Sequence, residues 1–215
     1  MTMQVGMIGS DGIVLASDTR WLRSLVRCEM RTWHTSGGYK IKLSTDQKIA
    51  ISYAQDMCEG DRIASHLLIV LENIDIHTRE QKLRDVALTI PDNLAVECFV
   101  AFVDPEPSLF LIQHPKDSTL PIIQIVLEKA FAGDTLNPAV YWAERYYRGL
   151  PVDKLKHLAA HVIGEAGRLN PTLISGLDIV IGKDGKFSRL LRTETDTLLE
   201  QSRKWADSFE KAVLP

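Results

Sequence analysis

The residue whose chemistry stands out first is Thr2, directly behind the initiator methionine. Once Met1 is removed, a terminal threonine carries nucleophile and base in one residue. Its hydroxyl can attack a carbonyl, and its α-amino group, with an ordinary pKa of about 8, can take the hydroxyl proton directly or through a water. A small side chain at the second position is what removal of the initiator generally demands. Charged residues that could serve such a nucleophile follow soon after. The segment "DGIVLASDTR" brings Asp18 and Arg20, and "YKIKL" brings Lys40 and Lys42. Alternation along a strand sends Lys40 and Lys42 to the same side, so periodicity does not choose between them. Other chemistries have thinner support. His34 and His77 lack a cysteine or carboxylate set at ligand spacing, and His157 and His161 sit i, i+4 on a partly exposed helix face without a third ligand. No metal and no cofactor is expected. "GSDG" and "GKDGK" lack the strand-loop-helix context of a phosphate loop and read as hairpin turns.

Strands must position these groups. Residues 3–8 and 13–18 form apolar runs around Ser10-Asp11-Gly12, a strong hairpin signal. The chain is therefore tied into a sheet from its second residue, where most termini fray. Further strands are expected over Tyr39–Leu43 and Lys48–Ala54, then helices over Met57–Asn73 and Arg79–Leu88. Strands return at Leu94–Val103, Leu109–Gln113 and Ile122–Leu127. Two helical stretches follow, "NPAVYWAERYYRGL" and "PVDKLKHLAAHVIGEAGRL", the first opened by Asn137 as a cap with Pro138 at the first helical position. Strands at Leu173–Ile181 and Lys186–Leu191, joined through Lys183-Asp184-Gly185, precede a polar terminal helix. Groups of strands alternating with helix pairs predict an α+β fold, a four-layer αββα sandwich of two antiparallel sheets between helix layers. Tyr141, Trp142, Tyr146 and Tyr147 recur at about one helical turn and suit either core or interface.

The length of 215 residues suits one domain, residues 1–215, and 45% apolar with 25% charged residues is the balance of a globular rather than a disordered chain. A net charge of −3 makes no electrostatic case for nucleic acid or an anionic membrane. The three cysteines, Cys28, Cys58 and Cys98, are odd in number and unpaired in spacing, which predicts buried reduced thiols in a reducing compartment. Neither a leader nor an apolar run of membrane-spanning length is present, so a cytoplasmic location is expected.

A Thr at the start, a glycine-containing turn, the "ASDTR" segment and a Lys followed by an aliphatic residue resemble the first strands of proteasome β-subunits, members of the N-terminal-nucleophile hydrolases. The match is with small bacterial homologues made without a long propeptide. The motif covers residues 2–56, and the order of elements agrees along nearly the whole chain. The resemblance implies Thr2 as nucleophile, Asp18 as the acid that orients the catalytic lysine, and Lys40 as that lysine. Physics supports these roles, because an ammonium near the terminal amine penalises its protonation and stabilises an ionised hydroxyl. In "TLISG", Ser175 and Gly176 match the end of the family's Asp-x-x-Ser-Gly, which implies a catalytic role for Ser175, while Thr172 stands where the Asp belongs. Arg20, Gly176 and Thr172 are the implied pocket or orienting residues. The implied oxyanion donor is the backbone N–H of Gln55, where the family usually carries a glycine pair. Asp56 beside it would set negative charge against a developing oxyanion, which opposes catalysis. The family's further Ser after a strand has no clean match in "KAFAGDTLNP", where Gly133 and Asp134 lie nearest, and Trp21–Gly38 is longer than the usual connection.

The implied function is that of a threonine-type peptidase subunit of a self-compartmentalising complex. Such a subunit forms a homo-oligomer of stacked sixfold or sevenfold rings that cuts peptides or unfolded protein, served by an ATPase or another regulator that the sequence does not specify. Gln55, Asp56 and Thr172 favour an alternative, a ring scaffold with weak or absent catalysis. A small-molecule amidohydrolase using the same nucleophile would carry a narrow pocket and no enclosed assembly.

Overall fold

Alternating apolar residues build the first sheet from the third residue onward. In the computed structural model, which describes residues 2–20, 38–55, 57–72, 78–91 and 94–213, β1 (Met3–Gly9) and β2 (Gly12–Ser17) form the expected hairpin. Gly12 has φ +156°, and an added Cβ would lie 2.0 Å from the Gly182 carbonyl oxygen, so only glycine fits this turn. The second sheet opens with β3 (Ile41–Leu43) and β4 (Ile49–Gln55), continues with β5 (Val96–Phe102) and β6 (Ser108–His114), and ends at β7 (Ile122–Val126). The chain then crosses back as β8 (Lys129–Gly133) to pair with β1. The first sheet closes with β9 (Asp178–Lys183) beside β2 and β10 (Lys186–Arg189) at its edge. Strand orders are β10-β9-β2-β1-β8 and β3-β4-β5-β6-β7, with every pairing antiparallel. Both suspected hairpins are turns: Asp184 and Gly185 have φ +51° and +76°, the pair of left-handed residues that a tight hairpin prefers.

Two helices, α1 (Met57–Leu71) and α2 (Arg79–Ala87), cover the second sheet, burying Ile63, Leu67, Leu71 and Leu83 against Ile49, Ile51 and Tyr53. On the opposite side lie α3 (Val140–Tyr146), α4 (Val152–Leu169) and α5 (Arg192–Val213). The buried face of α4, with Leu155, Ala159, Val162 and Ala166 at helical spacing, packs on Met3, Val5, Met7 and Ile179. The β1–β2 turn also caps α4: Asp11 Oδ1 accepts the Val152 N–H at 2.8 Å and the carboxyl pairs with Lys183 at 2.8 Å. Those two donors hold the Asp11 carboxyl below its usual range, Lys183 first. The result is the predicted four-layer αββα arrangement.

Three expectations about elements need correction. The strand β8 is not announced by its sequence, because "KAFAG" is short and mostly small residues. The strand expected from Leu173 begins only at Asp178. The amides of Leu173 and Ile174 still donate back to the Asn170 carbonyl at 3.1 and 3.0 Å, and Gly176 has φ +73°. The helix expected over 137–150 is confined to Val140–Tyr146. Asn137 Oδ1 accepts the Ala139 N–H at 3.0 Å, closing a turn ahead of it, and Tyr147 is extended so that its hydroxyl donates to the Ile8 carbonyl at 2.6 Å. The aromatic run accordingly divides: Trp142 and Tyr147 pack inward, while Tyr141 and Tyr146 are exposed. Cys98 is buried and reduced, its thiol pushed up to about 12 by burial. Cys28, His34, Asp56 and His77 lie outside the described residues. Among the described residues, no helix is long and apolar enough to cross a membrane.

The layer between the sheets changes character along its length. Ile13, Leu15, Phe99, Leu109, Leu111, Val180 and Phe187 fill it with apolar side chains. Stepping by two along the same faces toward the Thr2 end brings Gln4, Ser17, Ser52, Glu97, Gln113 and Asp178 to the same gap. Polar side chains cross it there, and Gln4 Nε2 donates to the Tyr53 carbonyl of the opposite sheet.

Candidate active site

Thr2 sits at this polar end, one residue ahead of the β1 ladder, and it is held from both sides. Its carbonyl accepts the Asp134 N–H at 2.8 Å, just past β8. The following amide, of Met3, donates to Asp18 Oδ1 at 2.9 Å, and the Met3 carbonyl accepts the Asp18 N–H at 3.1 Å. Gly133 has φ +85°, and a Cβ there would lie 1.9 Å from the Thr2 carbonyl oxygen, so glycine is what permits this close approach.

Lys40 stands at a bend just before β3 and crosses the gap. Its Nζ lies 2.9 Å from Thr2 Oγ1 and 2.9 Å from Asp18 Oδ2. The Arg20 N–H also donates to Asp18 Oδ2, at 3.0 Å, so both carboxyl oxygens are engaged. The side chains of Lys40 and Asp18 are wholly buried, and Thr2 is 4% exposed. Burial pushes the Asp18 carboxyl up and the Lys40 ammonium down, each opposed by the charge of the other. A pair buried this deeply contributes little to stability, because desolvation rivals the attraction. Its chemical consequence is a short path for a proton between a hydroxyl, an amine and a carboxyl group.

Lys42 is not on the same side, contrary to the alternation argument. The bend at Lys40 breaks the period, and Lys42 turns to α1, where its Nζ pairs with Asp61 at 2.8 Å and donates to Ser65 Oγ at 2.7 Å. The remaining sequence-derived residues join mostly through backbone. Arg20 reaches the Pro171 carbonyl with its guanidinium. The Ser175 carbonyl accepts the Thr19 N–H at 3.0 Å, and a Cβ on Gly176 would lie 2.0 Å from Thr19 Oγ1, so residues 175 and 176 buttress the strand end that carries Asp18. Thr172 is exposed and donates to Asn170 Oδ1 at 3.2 Å, within its own turn. Gln55 is the last residue of β4, opposite Val96.

Two further groups stand near Thr2. The Asp134 N–H is a backbone donor, which any residue but proline supplies, on a strand end that the pattern hides. Glu97 reaches across the gap, its Oε2 accepting the Gly133 N–H at 2.5 Å. Elsewhere, His161 is buried rather than partly exposed: its Nδ1 lies 2.8 Å from Ser202 Oγ, and its ring packs edge-on to Trp142 and Trp205. Among the described residues no three His, Cys, Asp or Glu side chains are grouped to hold a metal. A groove of about 890 Å³ lies between α3, α4 and α5, bordered by Trp142, Tyr146, His161 and Trp205 and remote from Thr2 in the helix layer.

No protein-family model matches the chain, and no curated protein does. Solved structures do match. Anbu (ancestral beta-subunit) from Yersinia bercovieri aligns with a TM-score of 0.71 at 16% identity, over 99% of this chain and 97% of its own. Anbu from Hyphomicrobium sp. strain MC1 gives 0.73 at 15% identity, over 98% and 96%. Its Gly-1 mutant gives 0.72 at 15% identity, over 99% and 96%. At such identities the likeness is one of fold, the four-layer αββα architecture that the Anbu structures share with this chain. It corrects the expectation of a proteasome β-subunit, because Anbu proteins are proteasome-like but form a distinct family. A Thr, an Asp and a Lys at strand ends do not by themselves distinguish one branch of a fold from another.

Proposed function

We propose that the chain is a threonine-type N-terminal-nucleophile hydrolase that cuts peptide bonds as one subunit of a homo-oligomeric compartment. The observation that carries this reading is the placement of Lys40 Nζ at 2.9 Å from both Thr2 Oγ1 and Asp18 Oδ2, all three groups being buried. In the proposed reaction, burial favours passing the Lys40 proton to Asp18, which leaves a neutral amine to accept the Thr2 hydroxyl proton. The Thr2 oxygen then adds to the scissile carbonyl, with the Gln55 N–H as the proposed oxyanion donor. The α-amino group, freed by removal of Met1, relays the proton taken up by Lys40 to the departing amine, and water then adds to the ester on Thr2, one of its protons returning to the Thr2 oxygen as the acid product leaves. Exposed Tyr141, Tyr146 and Trp205 on the outer helix layer supply apolar surface for neighbouring subunits, and closed rings satisfy heterologous contacts that would otherwise form filaments. Sixfold and sevenfold stacks set the masses to be distinguished. A second reading, a scaffold with little catalysis, draws on Thr172, which bonds to Asn170 where a carboxyl group is expected.

Intact mass, mass photometry and labelling test this together. The purified protein is expected to lack Met1, to assemble, and to react with a peptide epoxyketone, which needs both a free hydroxyl and a free amine on one residue. Thr2→Ala should assemble without labelling or peptide cleavage. Retention of Met1 in most molecules, or an assembled wild type that neither labels nor cuts a broad peptide library, would replace the peptidase with the scaffold.

A further inference from the structure

We infer that Glu97 is a positioning residue for Thr2, acting across the inter-sheet gap through the Gly133–Asp134 backbone. Its effect on rate rests on the reading of Thr2 as nucleophile, whereas its effect on structure does not. Glu97 lies on β5, where the period of two points it with Phe99 and Ala101 into the gap. An inward acidic side chain one step beyond an apolar run costs desolvation unless it is bonded. Both of its oxygens are engaged: Oε2 accepts the Gly133 N–H at 2.5 Å and Oε1 accepts Gln113 Nε2 at 3.2 Å. Gln113 stands directly opposite on β6, so it fixes the carboxyl group from behind.

What Glu97 grips is the residue directly ahead of the amide that holds Thr2. Gly133 ends β8 with φ +85°, a position where glycine has the widest backbone freedom. The next amide, of Asp134, holds the Thr2 carbonyl at 2.8 Å. A Gly133 released from Glu97 can rotate, and the Asp134 N–H turns with it. The Thr2 carbonyl then loses its fixed direction, and the α-amino group and Oγ1, both attached to the same Cα, lose their alignment with Lys40. The chain of contacts Gln113, Glu97, Gly133–Asp134, Thr2 thus ties the second sheet to the nucleophile independently of the lysine.

Glu97→Ala and Glu97→Gln, in the full chain, separate this role from general support of the fold. Residue-resolved hydrogen exchange in Glu97→Ala should speed the Gly133 and Asp134 amides about tenfold or more, with Lys129 and Ala130 unchanged, while Glu97→Gln, whose amide oxygen can still accept, stays within about threefold of wild type. Unchanged exchange at Gly133 and Asp134, or acceleration spread through β8 and β1, overturns the inference. In peptide hydrolysis, Glu97→Ala should lose about ten- to a hundredfold in kcat at constant KM, with Glu97→Gln recovering most of it. Equal losses in both variants, or a change in KM alone, also overturn it. A wild type that is inert to peptides and epoxyketone sinks the hydrolase reading and leaves the exchange comparison to decide Glu97.

Discussion

The two ends of the layer between the sheets are made by the same strands, on the same faces, and obey opposite rules. At the apolar end, Ile13, Leu15, Leu109 and Phe187 exclude water, each contributing about 1.5–3 kcal/mol by burial. Two residues from Leu15, Phe99 and Val180 on the same faces, Ser17, Glu97 and Asp178 must find partners instead, as must Gln4 on β1. Some do not: among the described residues, Gln4 Oε1 and Ser52 Oγ are buried without a hydrogen-bond partner. A fold optimised only for stability would continue the apolar layer. The difference teaches that strand register gathers the site, since Thr2, Asp18, Lys40 and Glu97 come from four strand ends and none is adjacent to another in sequence.

The largest effect should come from changing the centre of the polar end while keeping its charge. Lys40→Arg retains a cation beside Asp18 but cannot release a proton near neutrality. Peptide hydrolysis should fall by about two to four orders of magnitude, with assembly intact by mass photometry. Activity within about tenfold of wild type would reduce Lys40 to a source of positive charge and remove its part in proton transfer.

How far the site was legible follows from the same contrast. That Thr2, Asp18 and Lys40 meet is readable because "ASDTR" and "YKIKL" put polar residue types at strand ends, and the Asp11-Gly12 turn announces its hairpin. The clamp on Thr2 was not, because β8 offers only "KAFAG" and its working groups are backbone amides. The choice between Lys40 and Lys42 depended on a bend at Lys40 that a period of two cannot express. His161 differs from its helical spacing for a related reason. Helical spacing put it with His157, but contact with α5 through Ser202 decided its burial.

A smaller effect tests whether the polar end is dry at its far side. Asp178 is 1% exposed, pairs with Arg189 at 3.0 Å, and has its carboxyl pushed from 3.8 up to about 6 by burial. Since the folded state holds this proton more tightly than the unfolded chain, the stabilising contribution is full below pH 3.8 and is lost as pH rises through about 6. Between about pH 4 and about pH 7, wild type should lose about 2–3 kcal/mol of unfolding free energy relative to Asp178→Asn. Urea denaturation at one fixed protomer concentration measures the difference. A flat difference would mean that the carboxyl is solvated and that the polar layer ends before Asp178.

The smallest effect belongs to Lys42, and it sharpens the comparison most. Lys42 is two residues from Lys40 and carries the same charge, but its side chain is 26% exposed and its partner Asp61 50% exposed. Asp61 also accepts the Tyr53 hydroxyl at 2.8 Å, so the three side chains fasten α1 to the second sheet on the face away from the gap. Solvent screens such a pair, and its loss costs about 0–1 kcal/mol. Lys42→Ala should therefore lower thermal stability slightly, lower it less at high salt, and leave peptide hydrolysis within about twofold of wild type. The same residue type thus stands in opposite surroundings two positions apart, Lys40 wholly buried beside Asp18 and Lys42 partly exposed beside Asp61. A Lys42→Ala variant that lost activity as steeply as Lys40→Arg would move the site to the α1 face and undo that distinction.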